Sequence, residues 1–169
     1  MKLSEYKKIK DELVNSSFPA LKEIKIYILK LFGFGFSART DKEFFGYFIW
    51  INPFYEIYNK FELKGLLAHE LCHIEDWVIK GSNWREKNNR KCHKDRAYNR
   101  KYERATDDKV IFEKGYGEEL KKQRERRETK EDRNFKRFKE IYYSSQEIEE
   151  KLKLIRSSNL KNPNLKRTI

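Results

Sequence analysis

Between Glu62 and Lys80 the apolar residues Leu63, Leu66, Leu67, Leu71, Ile74, Trp77 and Val78 recur at intervals of three and four. That period predicts a helix packed on a core along most of one side. Lys80 in its last turn and Gly81 just beyond are the expected stop signals. The same stretch carries His69-Glu70-Leu71-Cys72-His73, which uses two of the chain's three histidines. Four residues apart on a helix, the two imidazoles leave the same face and can share one metal ion. Glu70 beside them is not a ligand in such a run. It is the general base that takes a proton from the metal's water, so the pattern points to a zinc hydrolase centre. Cys72 lies on a different face and reads as a small buried apolar residue rather than a ligand.

Two histidines leave a catalytic zinc one protein ligand short. Glu103 is the preferred third, in Tyr102-Glu103-Arg104-Ala105-Thr106-Asp107, on a second predicted helix from about Arg96 to Phe112. Asp107, one turn further on the same face, is suited to accept the other ring N–H of a ligating histidine. His93, in Lys91-Cys92-His93-Lys94, is the rival, and Cys92 a soft alternative. His93 is expected in an exposed loop, whereas two helices can hold a three-point site rigidly. Tyr98, Tyr102 and Arg104 are the candidates for stabilising an oxyanion.

His69-Glu70-x-x-His73 followed by Glu103-x-x-x-Asp107 resembles the gluzincin pattern of zinc peptidases. The short spacing and small size are most similar to the minigluzincins, minimal soluble scaffolds that look like the catalytic domains of integral membrane metallopeptidases. The resemblance covers roughly residues 40 to 112. It implies His69, His73 and Glu103 as zinc ligands, Glu70 as general base and acid, and Asp107 as the carboxylate supporting a ligand. It also implies a peptide or protein substrate, and a terminal segment that folds back over the cleft and keeps the enzyme latent.

Elsewhere Tyr6, Ile9, Leu13 and Val14 predict a first amphipathic helix ending near Asn15-Ser16-Ser17. Ile24, Ile26 and Ile28 alternate as a strand should, and Gly33-Phe34-Gly35-Phe36 marks a turn. Phe44 to Pro53 is aromatic and β-branched, bounded by Asp41-Lys42-Glu43. It reads as a strand that either forms the edge where substrate pairs or lies buried in the core. The order helix, strand, strand, active-site helix, ligand helix gives an α+β domain with a small mixed or antiparallel sheet. We expect a minimal catalytic domain over residues 1–115 and a charged helical extension over 116–169.

Of 169 residues 39% are charged and the mean hydropathy is −0.97, so the core is smaller than the chain. No run approaches a membrane span and Met1 to Lys10 is charged, so a cytoplasmic protein with free thiols is expected. Lys121 to Asn134 contains no apolar residue and reads as a solvated helix or connector. Phe135, Phe138, Ile141 and Tyr142 then recur at helical spacing, and Ser144 with Glu147 forms a capping box before Ile148, Leu152 and Ile155. This end of the tail needs a surface to dock on, and the catalytic domain is one.

The net charge of +12 supports a second class of function, nucleic-acid or polyanion binding. Arg124, Arg126, Arg127, Lys130, Arg133, Lys136, Arg137 and Lys139 are the candidate stripe, diluted by Glu125, Glu128, Glu131 and Asp132. Combined with His93 as third ligand, the chain would look like an SprT-type DNA-associated metalloprotease.

Overall fold

The computed structural model describes residues 2–32, 36–52, 59–129 and 135–161, with side chains for all of these but 135–137 and 159–161. The expected turn at residues 33–35 lies outside them. α1 (Leu3–Ser17) buries Tyr6, Ile9, Leu13 and Val14, the four residues whose spacing predicts it. A 3₁₀ turn, Pro19–Leu21, leads to β1 (Ile26–Lys30), whose Ile26 and Ile28 face the core while Tyr27 points out. β2 (Ala38–Glu43) and β3 (Gly46–Ile51) form an antiparallel hairpin with Glu43 opposite Gly46, joined by the exposed Phe44 and Phe45. β1 pairs with β3 in parallel, giving the mixed order β1-β3-β2.

The sheet decides between the two readings of the aromatic strand. The aromatic strand is central, with Tyr47, Ile49 and Ile51 in the core and Phe48 stacked between Tyr27 and Trp50 on the other face, at ring separations of 5.1 and 5.8 Å. The edge role belongs to β2. Its sequence, Ala-Arg-Thr-Asp-Lys-Glu, has no β-propensity run to betray it, and an edge strand with one solvated side tolerates that.

α2 (Lys60–Lys80) is capped by Asn59, whose side chain accepts from Glu62 N at 2.8 Å while Glu62 Oε2 accepts from Asn59 N at 3.1 Å. It is buried almost all round from Leu63 to Trp77, as a helix apolar on more than one face must be, and ends at Gly81 with φ 82°. α3 (Ser82–Lys94) and α4 (Arg96–Asp108) follow, the latter capped by Asp95. The predicted ligand helix does not stay α-helical to Phe112. It turns π-helical over Lys109–Glu113, where Lys109 pairs with Asp76 and Lys114 Nζ lies 2.8 Å from Glu75 Oε1.

The segment after Gly115 departs most from expectation. α5 (Gly117–Glu128) is not solvated but packs along α2, with Leu120 in the core and Gln123, Arg124 and Arg127 buried. Charge did not keep this helix in water, because Arg126 pairs with Glu62 at 2.6 Å and Arg124 pairs with Asp107. α6 (Phe135–Ile141) and α7 (Ser145–Lys161) follow, with the expected capping box in place: Ser144 N donates to Glu147 Oε2 at 2.8 Å and Glu147 N to Ser144 Oγ at 3.1 Å. Ile148 and Leu152 join the same core as α2. No described helix is long and apolar enough to cross a membrane.

Gly65 lets α5 approach α2. A Cβ there would stand 2.4 Å from the backbone of Glu119 and Leu120. Gly65→Ala gains up to about 1 kcal/mol of helix propensity, but overpacking against a backbone costs about 1–3 kcal/mol. We expect net destabilisation, measured as a lower urea midpoint at unchanged m-value. A higher midpoint would show that α5 shifts freely.

Candidate metal centre

His69 and His73 leave the same face of α2, and Glu103 faces them from α4. Glu103 Oε2 lies 3.1 Å from His69 Nε2 and 3.2 Å from His73 Nε2, and the two Nε2 atoms are 3.1 Å apart. Among the described residues, this is the one cluster of His, Cys, Asp and Glu side chains able to hold a metal ion. Four tetrahedral N/O ligands at about 2.0–2.1 Å from zinc stand about 3.3 Å from one another. The triangle therefore fits a zinc-sized ion with a small expansion.

The other ring nitrogens fit as well. In the tautomer that turns both Nε2 lone pairs inward, His69 Nδ1–H donates to Asp107 Oδ1 at 2.8 Å and His73 Nδ1–H to the Tyr102 hydroxyl oxygen at 3.0 Å. Asp107 is fully buried and held from three elements: by His69 of α2, by Arg124 Nη2 of α5 at 2.8 Å, and by Tyr143 N at the α6–α7 junction at 3.2 Å. Arg124 is fixed in turn by Gln123 Oε1 at 2.7 Å and by the faces of Tyr142 and Phe138.

Electrostatics follow from this packing. Burial alone would lower the His69 pKa, but hydrogen bonds to Asp107 and Glu103 outweigh it and raise it to about 10. A bound cation would have to displace that proton. Burial would raise Glu103 and Asp107, yet the histidines hold Glu103, and Arg124 with His69 holds Asp107, below the usual carboxylate range. The Tyr102 and Tyr142 phenols are pushed up, chiefly by burial.

Glu70 stays outside the triangle. Its Oε2 accepts from Thr40 Oγ1 of β2 at 2.5 Å, and it lines an open cleft of about 420 Å³ with Thr40, Asp41, His73, Trp77, Tyr102 and Glu103. His93 and Cys92 line the far wall of that cleft but do not join the cluster, and His93 is exposed on the last turn of α3 rather than in a loop. Cys72 is buried and free. Of the oxyanion candidates, Tyr98 donates to Asn88 Oδ1 at 2.9 Å and Arg104 pairs with Glu147 at 3.0 Å, while Tyr102 reaches a histidine of the cluster, His73.

Sequence reasoning missed three contributors: Thr40, Arg124 and Tyr142. Tyr142 meets the His69 ring edge-on at 5.7 Å and, with Glu70, lines both the cleft and a smaller pocket of about 40 Å³. The helical spacing of Phe138, Ile141 and Tyr142 was its only signal. Arg124 had none, being one cation in a charged run.

The tail's candidate basic stripe does not assemble among the described residues. Arg124 and Arg127 are 2% and 3% exposed and Arg126 is paired, while residues 130–134 and the side chains at 136 and 137 lie outside the described set. Comparison with protein-family models, with curated proteins and with solved structures finds no match to this chain, so the functional reading stands on the geometry of the site itself.

Proposed function

We propose that the chain is a zinc-dependent metallopeptidase of gluzincin type, most similar to the minigluzincins. One observation carries this reading, the division of labour among four side chains. His69, His73 and Glu103 converge within 3.1–3.2 Å of one another, while Glu70 is held away from them and turned to the cleft. The three would hold zinc. Bound there, zinc supplies Lewis acidity that makes water nucleophilic near neutral pH and polarises a peptide carbonyl. Glu70 accepts a proton in the cleft and returns it to the leaving amine, with the Thr40 hydroxyl holding Oε2 in place. Asp107 and Tyr102 keep the imidazoles in the ligating tautomer.

The substrate is a peptide in extended form. Among the described strands β2 pairs only with β3, so its other edge presents free N–H and C=O groups beside Glu70. Tyr142 covers His69 from the C-terminal side, which supports a latent enzyme. Latency on this reading resides in Tyr142, just after α6, because α5 contributes Arg124 to the site and is part of the machinery.

Elemental analysis tests the reading. One zinc per chain is expected in the wild type and in His93→Ala, and at least a tenfold loss of occupancy in Glu103→Ala. Loss with His93→Ala and retention with Glu103→Ala would move the third ligand and the protein toward the SprT-like class. A wild type that takes up no zinc on loading would remove the metallopeptidase altogether.

A further inference from the structure

A dense run of positive charge lies ahead of the tail. Arg85 to Lys101, spanning most of α3 and the start of α4, holds eight cations against two acids, half of the formal +12. Lys87, Arg90, Lys91 and Lys94 recur at i, i+3, i+4 and i+7, and all four are exposed. Asn88, on another side of α3, is buried and accepts from Tyr98 of α4. Arg100 and Lys101 are exposed on α4.

Internal pairing does not neutralise this face. Glu86 lies 3.6 Å from Arg90, and Asp95 is engaged in capping α4. Arg96 pairs with Glu140. Lys87, Lys91, Lys94, Arg100 and Lys101 have no ion pair among the described residues. Like charges three and four apart on a helix repel one another, and an external polyanion relieves that repulsion.

We propose that the α3–α4 basic face binds the phosphate backbone of nucleic acid. Protein partners draw most of their energy from aromatic side chains and Arg in well-packed desolvated pockets, and among the exposed side chains of Arg85 to Lys101 there is no Trp, Tyr or Phe and only Ala97 is apolar. Peripheral membrane docking likewise needs apolar insertion besides charge. A phosphodiester backbone needs only placed cations, which this face supplies. The inference does not depend on the peptidase reading.

The test is fluorescence anisotropy of full-length protein with a short labelled DNA duplex of mixed sequence. With four to five phosphates neutralised, affinity should fall by about two to three orders of magnitude between about 50 and 200 mM salt. Lys87→Glu/Lys91→Glu/Lys94→Glu should weaken binding more than about tenfold, and the corresponding triple glutamine variant should lower the salt slope by about three. Lys7→Glu/Lys8→Glu/Lys22→Glu, exposed lysines of α1 and the turn before β1, carries the same change in net charge and should bind nearly as wild type. Equal loss in that control would reduce the effect to net charge and overturn the proposal. So would an α3 triple variant that binds like wild type, or tighter binding of poly-glutamate or phosphatidylserine vesicles than of DNA.

Discussion

Replacing Arg124 by methionine should destabilise the fold by about 3–5 kcal/mol, because it leaves a buried carboxylate without its countercharge. Asp107 is fully buried and shares its Oδ1 between His69 and Arg124, so its charge depends on both. Its depressed pKa contributes stability that is present above the unfolded carboxylate value and lost as pH falls through the folded one. Without Arg124 the folded value rises and that contribution shrinks. Acid unfolding of the variant should therefore begin at higher pH than in wild type, on top of a lower urea midpoint at neutral pH. On the proposed zinc reading, affinity for the metal should fall about ten- to a hundredfold, as when supports of ligating histidines are removed. Arg124→Lys should recover part of the stability but less of the affinity, since an ammonium lacks the planar fork that spans Asp107 and Gln123. A variant as stable as wild type across this pH range would show that the pair is incidental.

This dependence also marks how far the sequence could be read. The helix bearing His69, Glu70 and His73 was legible because its apolar period, its stop at Gly81 and its paired histidines are local signals. α1, β1 and the capping box at Ser144 were legible for the same reason. Glu103 and Asp107 could be ranked because a helix places residues four apart on one face. β2 was hidden: a short polar edge strand carries no alternation, and its place is fixed by pairing with β3. α5 was hidden for a different reason. Its polar residues are satisfied only by groups distant in sequence, Arg124 by Asp107 and Arg126 by Glu62, and no windowed pattern reports such pairs. Thr40 and Arg124 come from those two elements, and Tyr142 follows a helix whose period is visible but whose docking place is not, so the His69, His73, Glu103 and Asp107 set could be ranked from sequence while these three contributors could not.

Glu70→Gln should lower kcat by about 10²–10⁴ on the proposed peptidase reading, the usual contribution of a positioned proton-transfer group, with zinc content unchanged. Glutamine keeps the shape, and its amide oxygen can still accept from Thr40 Oγ1, but it cannot take up a proton in the cleft. Zinc should stay because Glu70 lies outside the triangle of His69, His73 and Glu103. KM should change little, since the lost interaction matters in the transition state rather than in the bound substrate. Thr40→Val separates orientation from chemistry: it removes the hydroxyl that holds Oε2 and leaves the carboxylate, so only a fraction of the Glu70→Gln loss is expected. Measuring zinc and kcat on the same preparations distinguishes the failures. Loss of zinc in Glu70→Gln would make Glu70 a structural support of the centre, and full activity with zinc retained would place the proton transfer on another residue of the cleft.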